Sequence, residues 1–141
     1  MTKIVITANI TWALYNFRRN LIQSLLDNGF KVILVCTIDK YTSYFESIGC
    51  EIVDLKLDSK SLNPIKDIYT FFSIIKILSS IKPDFILNFS PKNNIYSTLA
   101  ANFTKAKVVN NIAGLGVVFI ENNLVSNVTR FLYKKCIYVF N

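Results

Sequence analysis

The stretch "FKVILVCT", residues 30–37, decides the fold. It is a continuous apolar run with no polar alternation. A strand that reads this way is covered on both faces, as strands of parallel sheets are. Such a sheet needs helices above and below it. The sequence around the run supplies them. Before it, "KIVITAN" (3–9) reads as a buried strand. Between the two, Leu14, Phe17, Leu21, Ile22, Leu25 and Leu26 fall on one face of a helix that Gly29 stops.

The same alternation continues to the end of the chain. "DKYTSYFESIG" (39–49) reads as a short helix and "CEIVDLKL" (50–57) as a third strand. After the loop "DSKSLNP" comes a long helix over 65–81, with Pro64 at its first turn. "PDFILNF" (83–89) is the fourth strand, "NNIYSTLAANFTK" (93–105) a helix rich in small residues, and "AKVVNNI" (106–112) the fifth strand. "NLVSNVTRFLYKK" (123–135) reads as a helix and "CIYVFN" (136–141) as a sixth strand. Strands alternating with helices make βαβ units with right-handed crossovers. The expected fold is an α/β, Rossmann-like parallel sheet sandwiched by helices, a single domain over 1–141.

Composition narrows the function. The chain is 52% hydrophobic and carries 16 Lys and Arg against 9 Asp and Glu. The excess is uneven. Residues 1–84 hold ten basic against eight acidic residues, whereas 85–141 hold six against Glu121 alone. Such a field attracts nucleic acid, anionic membrane or phosphate-bearing ligands; the alternative is a surface that merely solubilises. There is no His, which excludes Ser-His-Asp and Cys-His chemistry within these residues. Cys36, Cys50 and Cys136 are too scattered for a metal or redox motif and read as buried small hydrophobes of a reducing compartment. "KIVITAN" is too short for a secretory leader, which predicts a cytoplasmic chain. The 65–81 helix carries Lys66, Asp67 and Lys76 and is too interrupted to span a bilayer.

In parallel α/β sheets ligands sit beyond the carboxyl ends of the strands. The first of these crevices is "ANITWALYNFRRN". It has no glycine, so no G-x-G-x-x-G dinucleotide site is expected there. Arg18 and Arg19 are expected in or just after the first turn of the following helix. There Arg binds a phosphate bidentately or remains a solvated charge. Trp12, read as a loop residue, is either a lid over the sheet or a stacking platform for a sugar ring. The fourth crevice, "NFSPKNN", crowds Ser90, Lys92, Asn93 and Asn94 at a helix start. It is a phosphate site or a polar cap. The fifth, "AGLG", sets Gly114 and Gly116 either to admit a ligand close to the backbone or to make a turn that packing requires.

The run "NFSPKNNIYSTLAANFTKAKVVNNIAGLGVVFI" resembles glycosyltransferase family 4, in the branch acting on lipid-linked bacterial glycans and capsular sugars. "YNFRRNLIQSLLDNGFKVILV" and "SKSLNPIKDI" are similar to that branch's helix start and its Ser-x-x-Pro loop. The resemblance covers nearly the whole chain. It implies the N-terminal, acceptor-binding half of a retaining GT-B enzyme for polysaccharide or cell-envelope synthesis. The donor half, absent here, would hold a nucleotide-diphosphate-sugar in cis or trans, and this chain alone would be inactive. The implied acceptor is a lipid-linked or polysaccharide one, with Asn9, Trp12, Tyr15, Asn16, Arg18, Ser90, Lys92, Asn93, Asn94, Gly114, Leu115 and Gly116 as its contacts. No catalytic residue is assigned. No metal and no cofactor of this chain are implied, and no nucleic-acid partner. Many relatives carry a His near Tyr15–Phe17, where this chain has Asn16. A lipid-linked acceptor further implies peripheral contact with the anionic inner face of the cell membrane, for which Lys66, Lys76, Arg130, Lys134 and Lys135 are the candidates. The alternative reading is a non-catalytic membrane-docking subunit that recruits a catalytic partner.

Overall fold

A computed structural model describes residues 1–56, 64–112 and 124–138. The strands are β1 (Lys3–Ile10), β2 (Lys31–Thr37), β3 (Glu51–Asp54), β4 (Phe85–Asn88) and β5 (Lys107–Asn110). The helices are α1 (Thr11–Asp27), α2 (Thr42–Ser47), α3 (Pro64–Ile81), α4 (Pro91–Ala101) and α5 (Leu124–Tyr138). All strand pairs are parallel, in the order β3-β2-β1-β4-β5. The chain therefore builds outward from β1 to β3, then returns to the other side of β1 for β4 and β5. The order reverses between β1 and β4, which makes that junction the expected ligand crevice.

Alternate residues of the central strands go to opposite faces, and both faces are apolar. Ile4, Ile6, Ala8 and Leu34 meet Leu14 and Ile22 of α1 and Phe45 of α2. On the other face, Val5, Ile33, Val35 and Ile86 meet Ile74 and Leu78 of α3 and Ala100 of α4. The continuous reading of residues 30–37 thus corresponds to a two-sided core. Tyr133 brings α5 against Ile95 of α4. Gly29 ends α1 as the sequence implies: at φ +78° its amide bonds to Leu26 O and that of Phe30 to Leu25 O, a Schellman pattern that relieves the orphan carbonyls of the helix end.

Several boundaries differ from the sequence reading; β3, β4 and β5 are each shorter than the runs read at 50–57, 83–89 and 106–112. Helix α1 begins at Thr11, so Trp12 is a first-turn helical residue and not a loop residue. Arg18 and Arg19 consequently fall in the second and third turns. Helix α4 begins at Pro91 and ends at Ala101, not 93–105; Pro is suited to a first helical position because its missing N–H has no partner to lose there. Asp39 stays outside α2, which spans only Thr42–Ser47. The sixth strand is not formed at residues 136–138, where α5 continues to Tyr138. A short apolar run cannot be assigned to strand or helix by periodicity alone. Residues 139–141 lie outside the described residues.

Candidate functional site

The carboxyl ends of β1 and β4 open into a cavity of about 270 Å³, lined by Ala8, Ala13, Leu14, Phe17, Arg18, Phe89 and Asn111. It lies on the α1 side of the sheet, at the topological switch point. Arg18 sets its guanidinium 4.8 Å from the Phe89 ring centroid and donates through Nη1 to the Phe17 carbonyl at 3.0 Å. A half-buried cation over an aromatic face is held in place while keeping donors for an anion. Phe17 is 65% exposed at the rim and packs edge-on against Trp12, itself 46% exposed, with ring centroids 5.9 Å apart. Trp12 and Phe17 together form an aromatic lip on the exposed side of α1.

The N-terminus of α1 is not a vacant anion site. The carboxylate of Asp39, from the loop after β2, accepts the Trp12 amide at 2.8 Å, the Thr11 hydroxyl at 2.5 Å and the Tyr41 amide at 2.7 Å. Ile10, at the N-cap position, has no side chain able to cap, and Asp39 does so from elsewhere in the chain. Burial pushes the Asp39 carboxyl upward. The bonds from Thr11, Tyr41 and Trp12 and the charge of Lys40 outweigh it and hold the group below its ordinary range.

A second polar assembly occupies the opposite face of the same strands. Thr7, Asn88 and Asn110 are in register across β1, β4 and β5. The Thr7 hydroxyl donates to Asn88 Oδ1 at 2.5 Å, Asn88 Nδ2 to Asn110 Oδ1 at 2.8 Å, and Asn110 Nδ2 to Thr98 Oγ1 of α4 at 2.9 Å. Above this ladder lie buried polar atoms without a hydrogen-bond partner: Asn9 Oδ1, Ser90 Oγ, both polar atoms of Asn93, Asn94 Oδ1 and Ser97 Oγ. Asn9 falls in the register irregularity between Thr7 and Ile10. Bulges of this kind concentrate beside functional sites and re-aim side chains. An unmet buried polar group costs about 1–3 kcal/mol, so a cluster of them is capacity for water or for a ligand's polar groups.

The residues singled out in the sequence divide accordingly. Arg18 lines the cavity, and Asn9, Ser90, Asn93 and Asn94 join the polar cluster across the sheet. Ser90 occupies the N-cap position of α4, yet its hydroxyl caps nothing. Asn94 also donates toward Asn111 O at 3.3 Å and Tyr133 Oη at 3.4 Å, tying α4 to β5 and α5. Lys92 sets its ammonium 2.8 Å from Asp67 Oδ1 and pins α4 to α3. Asp67 also engages Tyr96. Burial and that carboxylate together raise the Tyr96 phenol well above its ordinary value. Tyr15 does not line the cavity; it packs among Tyr41, Tyr44 and Phe45, with Arg19 over its ring at 5.3 Å. Asn16 is exposed and donates to the Trp12 carbonyl at 2.9 Å. Gly114, Leu115 and Gly116 lie outside the described residues. Asp39 and Phe89 lie just after strands, where the sequence places functional positions, but with no role assigned to them; the sequence reading missed Thr7, Asn88, Thr98 and Asn110. A signal for two of these was present: Asn88 and Asn110 each close an apolar strand.

Residues 3–140 match the profile of the glycosyl transferase 4-like family. The chain belongs to that family. A curated relative, the N,N'-diacetylbacillosaminyl-diphospho-undecaprenol alpha-1,3-N-acetylgalactosaminyltransferase of Campylobacter jejuni, is 29% identical over 121 residues, which cover 85% of this chain and 32% of that protein. The chain thus spans about a third of the relative's length. Among solved structures, a glycosyltransferase from Rickettsia africae superposes with a TM-score of 0.62 at 16% identity, over 88% of this chain and 34% of that one. A UDP-N-acetylglucosamine 2-epimerase superposes with a TM-score of 0.63 at 15% identity, over 93% and 40%. The glycosyl transferase 4-like chain therefore has the Rossmann-like architecture of the N-terminal half of a GT-B fold.

Proposed function

We propose that this chain is the acceptor-binding domain of a retaining glycosyltransferase that elongates a lipid-linked or envelope glycan. The observation that carries the reading is Arg18, stacked on Phe89 beside a cavity at the β1/β4 switch point. A fixed guanidinium suits the diphosphate of a polyprenyl-diphosphate acceptor. The exposed Trp12–Phe17 lip suits either a sugar face or the first isoprene units. The unmet polar atoms of Asn9, Ser90, Asn93, Asn94 and Ser97 suit sugar hydroxyls and amides, and Gly114–Gly116 remain proposed contacts. The curated relative, by its name, takes a diphospho-undecaprenol substrate. The nucleotide-diphosphate-sugar would be held by a donor-binding half in cis or trans. Residues 1–141 by themselves would then transfer no sugar.

Such an acceptor lies at a bilayer, and α3 offers a face for one. Ile65, Ile68, Tyr69 and Phe72 are 58–77% exposed and follow the i, i+3, i+4, i+7 spacing of a single stripe. Lys66 and Lys76 are exposed on the same helix, and Lys134 and Lys135 on α5 beside exposed Phe131. An apolar stripe bordered by basic residues fits peripheral binding to an anionic inner membrane surface from the cytoplasmic side. Arg130 is half-buried and donates to Ser126 O at 3.4 Å, which makes it the weakest of the five proposed contacts. No helix among the described residues is long and apolar enough to cross a membrane.

The test is titration with farnesyl diphosphate against farnesol. The wild type should prefer the diphosphate, and Arg18→Ala should lose about tenfold in affinity for it while leaving farnesol unchanged, since a hydrogen bond to a charged group contributes about 1.5–3 kcal/mol. Equal affinity for the two probes, or an indifferent Arg18→Ala, would remove Arg18 from the acceptor site.

A further inference from the structure

At the opposite end of the sheet, by the amino ends of β4 and β5, lies a second and larger cleft of about 850 Å³. Lys82, Lys105 and Lys107 line it together with Asp84, Phe85 and Phe103. None of the three lysines forms an ion pair with a described residue. Asp84, whose Oδ2 accepts the Lys3 amide at 2.7 Å, offsets only one of these charges. Lys3 adds a fourth ammonium beside the cleft, bonded to Ile81 O.

The helix dipoles account for part of this charge only. The carboxyl ends of α3 and α4 both meet the cleft, each equivalent to about −0.5 charge. Four lysines against Asp84 and two helix ends leave a surplus of about +2. Phe103, in the turn after α4, is 66% exposed, and Lys107 lies 6.0 Å from the Phe85 ring. The cleft therefore combines cationic donors with an exposed phenyl ring.

We propose that this cleft binds an acidic peptide segment of a partner protein, one carrying an aromatic or aliphatic side chain among its carboxylates. The mixed polarity selects this occupant. A peptide brings carboxylates to the lysines and an apolar side chain to Phe103. Inorganic phosphate or polyphosphate brings charge for the lysines and nothing apolar for Phe103. The cleft lies at the far end of the sheet from the switch-point cavity, so a partner seated here leaves the acceptor crevice open. This contact holds whether or not the proposed transferase reading does.

The probe is a short fluorescein-labelled peptide of Glu and Asp with one central Phe, followed by anisotropy. Wild-type protein should bind it saturably, and rising salt should weaken binding. K105E/K107E, with both positions exposed, should bind about tenfold or more weakly and should instead bind a peptide with Lys in place of each acid. Phe103→Ser, which leaves every charge in place, should weaken binding of the Phe peptide but not of one with Ser at that position. Far-UV circular dichroism checks that the variants fold. Equal binding by wild type and K105E/K107E would overturn the proposal. So would displacement of the peptide by inorganic polyphosphate or by phosphatidylserine vesicles at lower total charge.

Discussion

Replacing Asn88 with Ala should cost about 3 kcal/mol of stability, because it removes two hydrogen bonds and orphans a third group. Asn88 is fully buried in β4, accepting the Thr7 hydroxyl at 2.5 Å and donating to Asn110 Oδ1 at 2.8 Å. Each neutral bond is worth about 1 kcal/mol net. The Thr7 hydroxyl, 1% exposed, is then left without an acceptor, at about 1–3 kcal/mol. Asn110 loses less, since Thr98 still bonds it through Oγ1. For a domain of this size the loss corresponds to a fall of about 10 °C in melting temperature. Urea unfolding followed by circular dichroism should show a lower midpoint with an unchanged slope. Thr7→Val alone should cost about 1–2 kcal/mol by leaving Asn88 Oδ1 unmet. The double variant T7V/N88A should cost less than the sum, because each change removes the partner the other would orphan. A cost below about 1 kcal/mol for Asn88→Ala, or strict additivity with Thr7→Val, would refute the view that the ladder joins β1 to β4 energetically.

Asp39→Asn should destabilise the protein by about 1 kcal/mol, as loss of a charged cap does. Since the Asp39 carboxyl is held below its ordinary range, its contribution is present above pH 4 or so and fades as pH falls through the folded value; wild type and Asp39→Asn should converge in acid melts, and a gap that persists there would contradict the cap. Cys36 and Cys50 are buried thiols pushed up to about 12 and about 11 by desolvation, the former also by Asp39 and Asp54. Both should resist iodoacetamide at pH 8 until the protein unfolds. Their raised values favour the folded state below the unfolded thiol's pKa, and that contribution is lost as pH rises through the folded values, so stability should decline above about pH 9; rapid native-state labelling would show that the thiols are not sealed in the core. Lys82, at φ +51° with a side chain, should tolerate Gly but lose about 1–2 kcal/mol as Val, whose branched Cβ crowds the left-handed region; equal stability of the Gly and Val variants would argue against strain. Co-sedimentation with vesicles should require anionic lipid and fall in Phe72→Glu and in K134E/K135E, and unchanged binding by all of these would reject the α3–α5 face.

Much of the fold was legible because hydrophobic pattern and parallel pairing are coupled. The runs at 3–9 and 30–37 are apolar without alternation, and only a sheet covered on both sides buries them. Element ends were less legible. Pro91 and Thr11 start helices earlier than the apolar periodicity does, since a first turn draws its stability from caps that pattern does not register. Residues 136–138 could be strand or helix by composition; the continuation of α5 decides for helix.

The sequence by itself determined the βαβ alternation, the absence of a glycine-rich dinucleotide loop, the basic bias of the C-terminal part and the resemblance to family 4 glycosyltransferases. These depend on residue type and short spacing, which the chain carries locally. The tertiary structure alone decided which polar residues act together. Asp39 reaches the α1 N-terminus from 27 residues away, and Thr7 meets Asn88 across 81. Both pairings exist only because parallel strands place distant residues side by side at the same end of the sheet. The same packing engaged Lys92 with Asp67 and set Arg18 over Phe89. A charge in the sequence is a candidate for any anion, and only its neighbours in space determine which one it has already met.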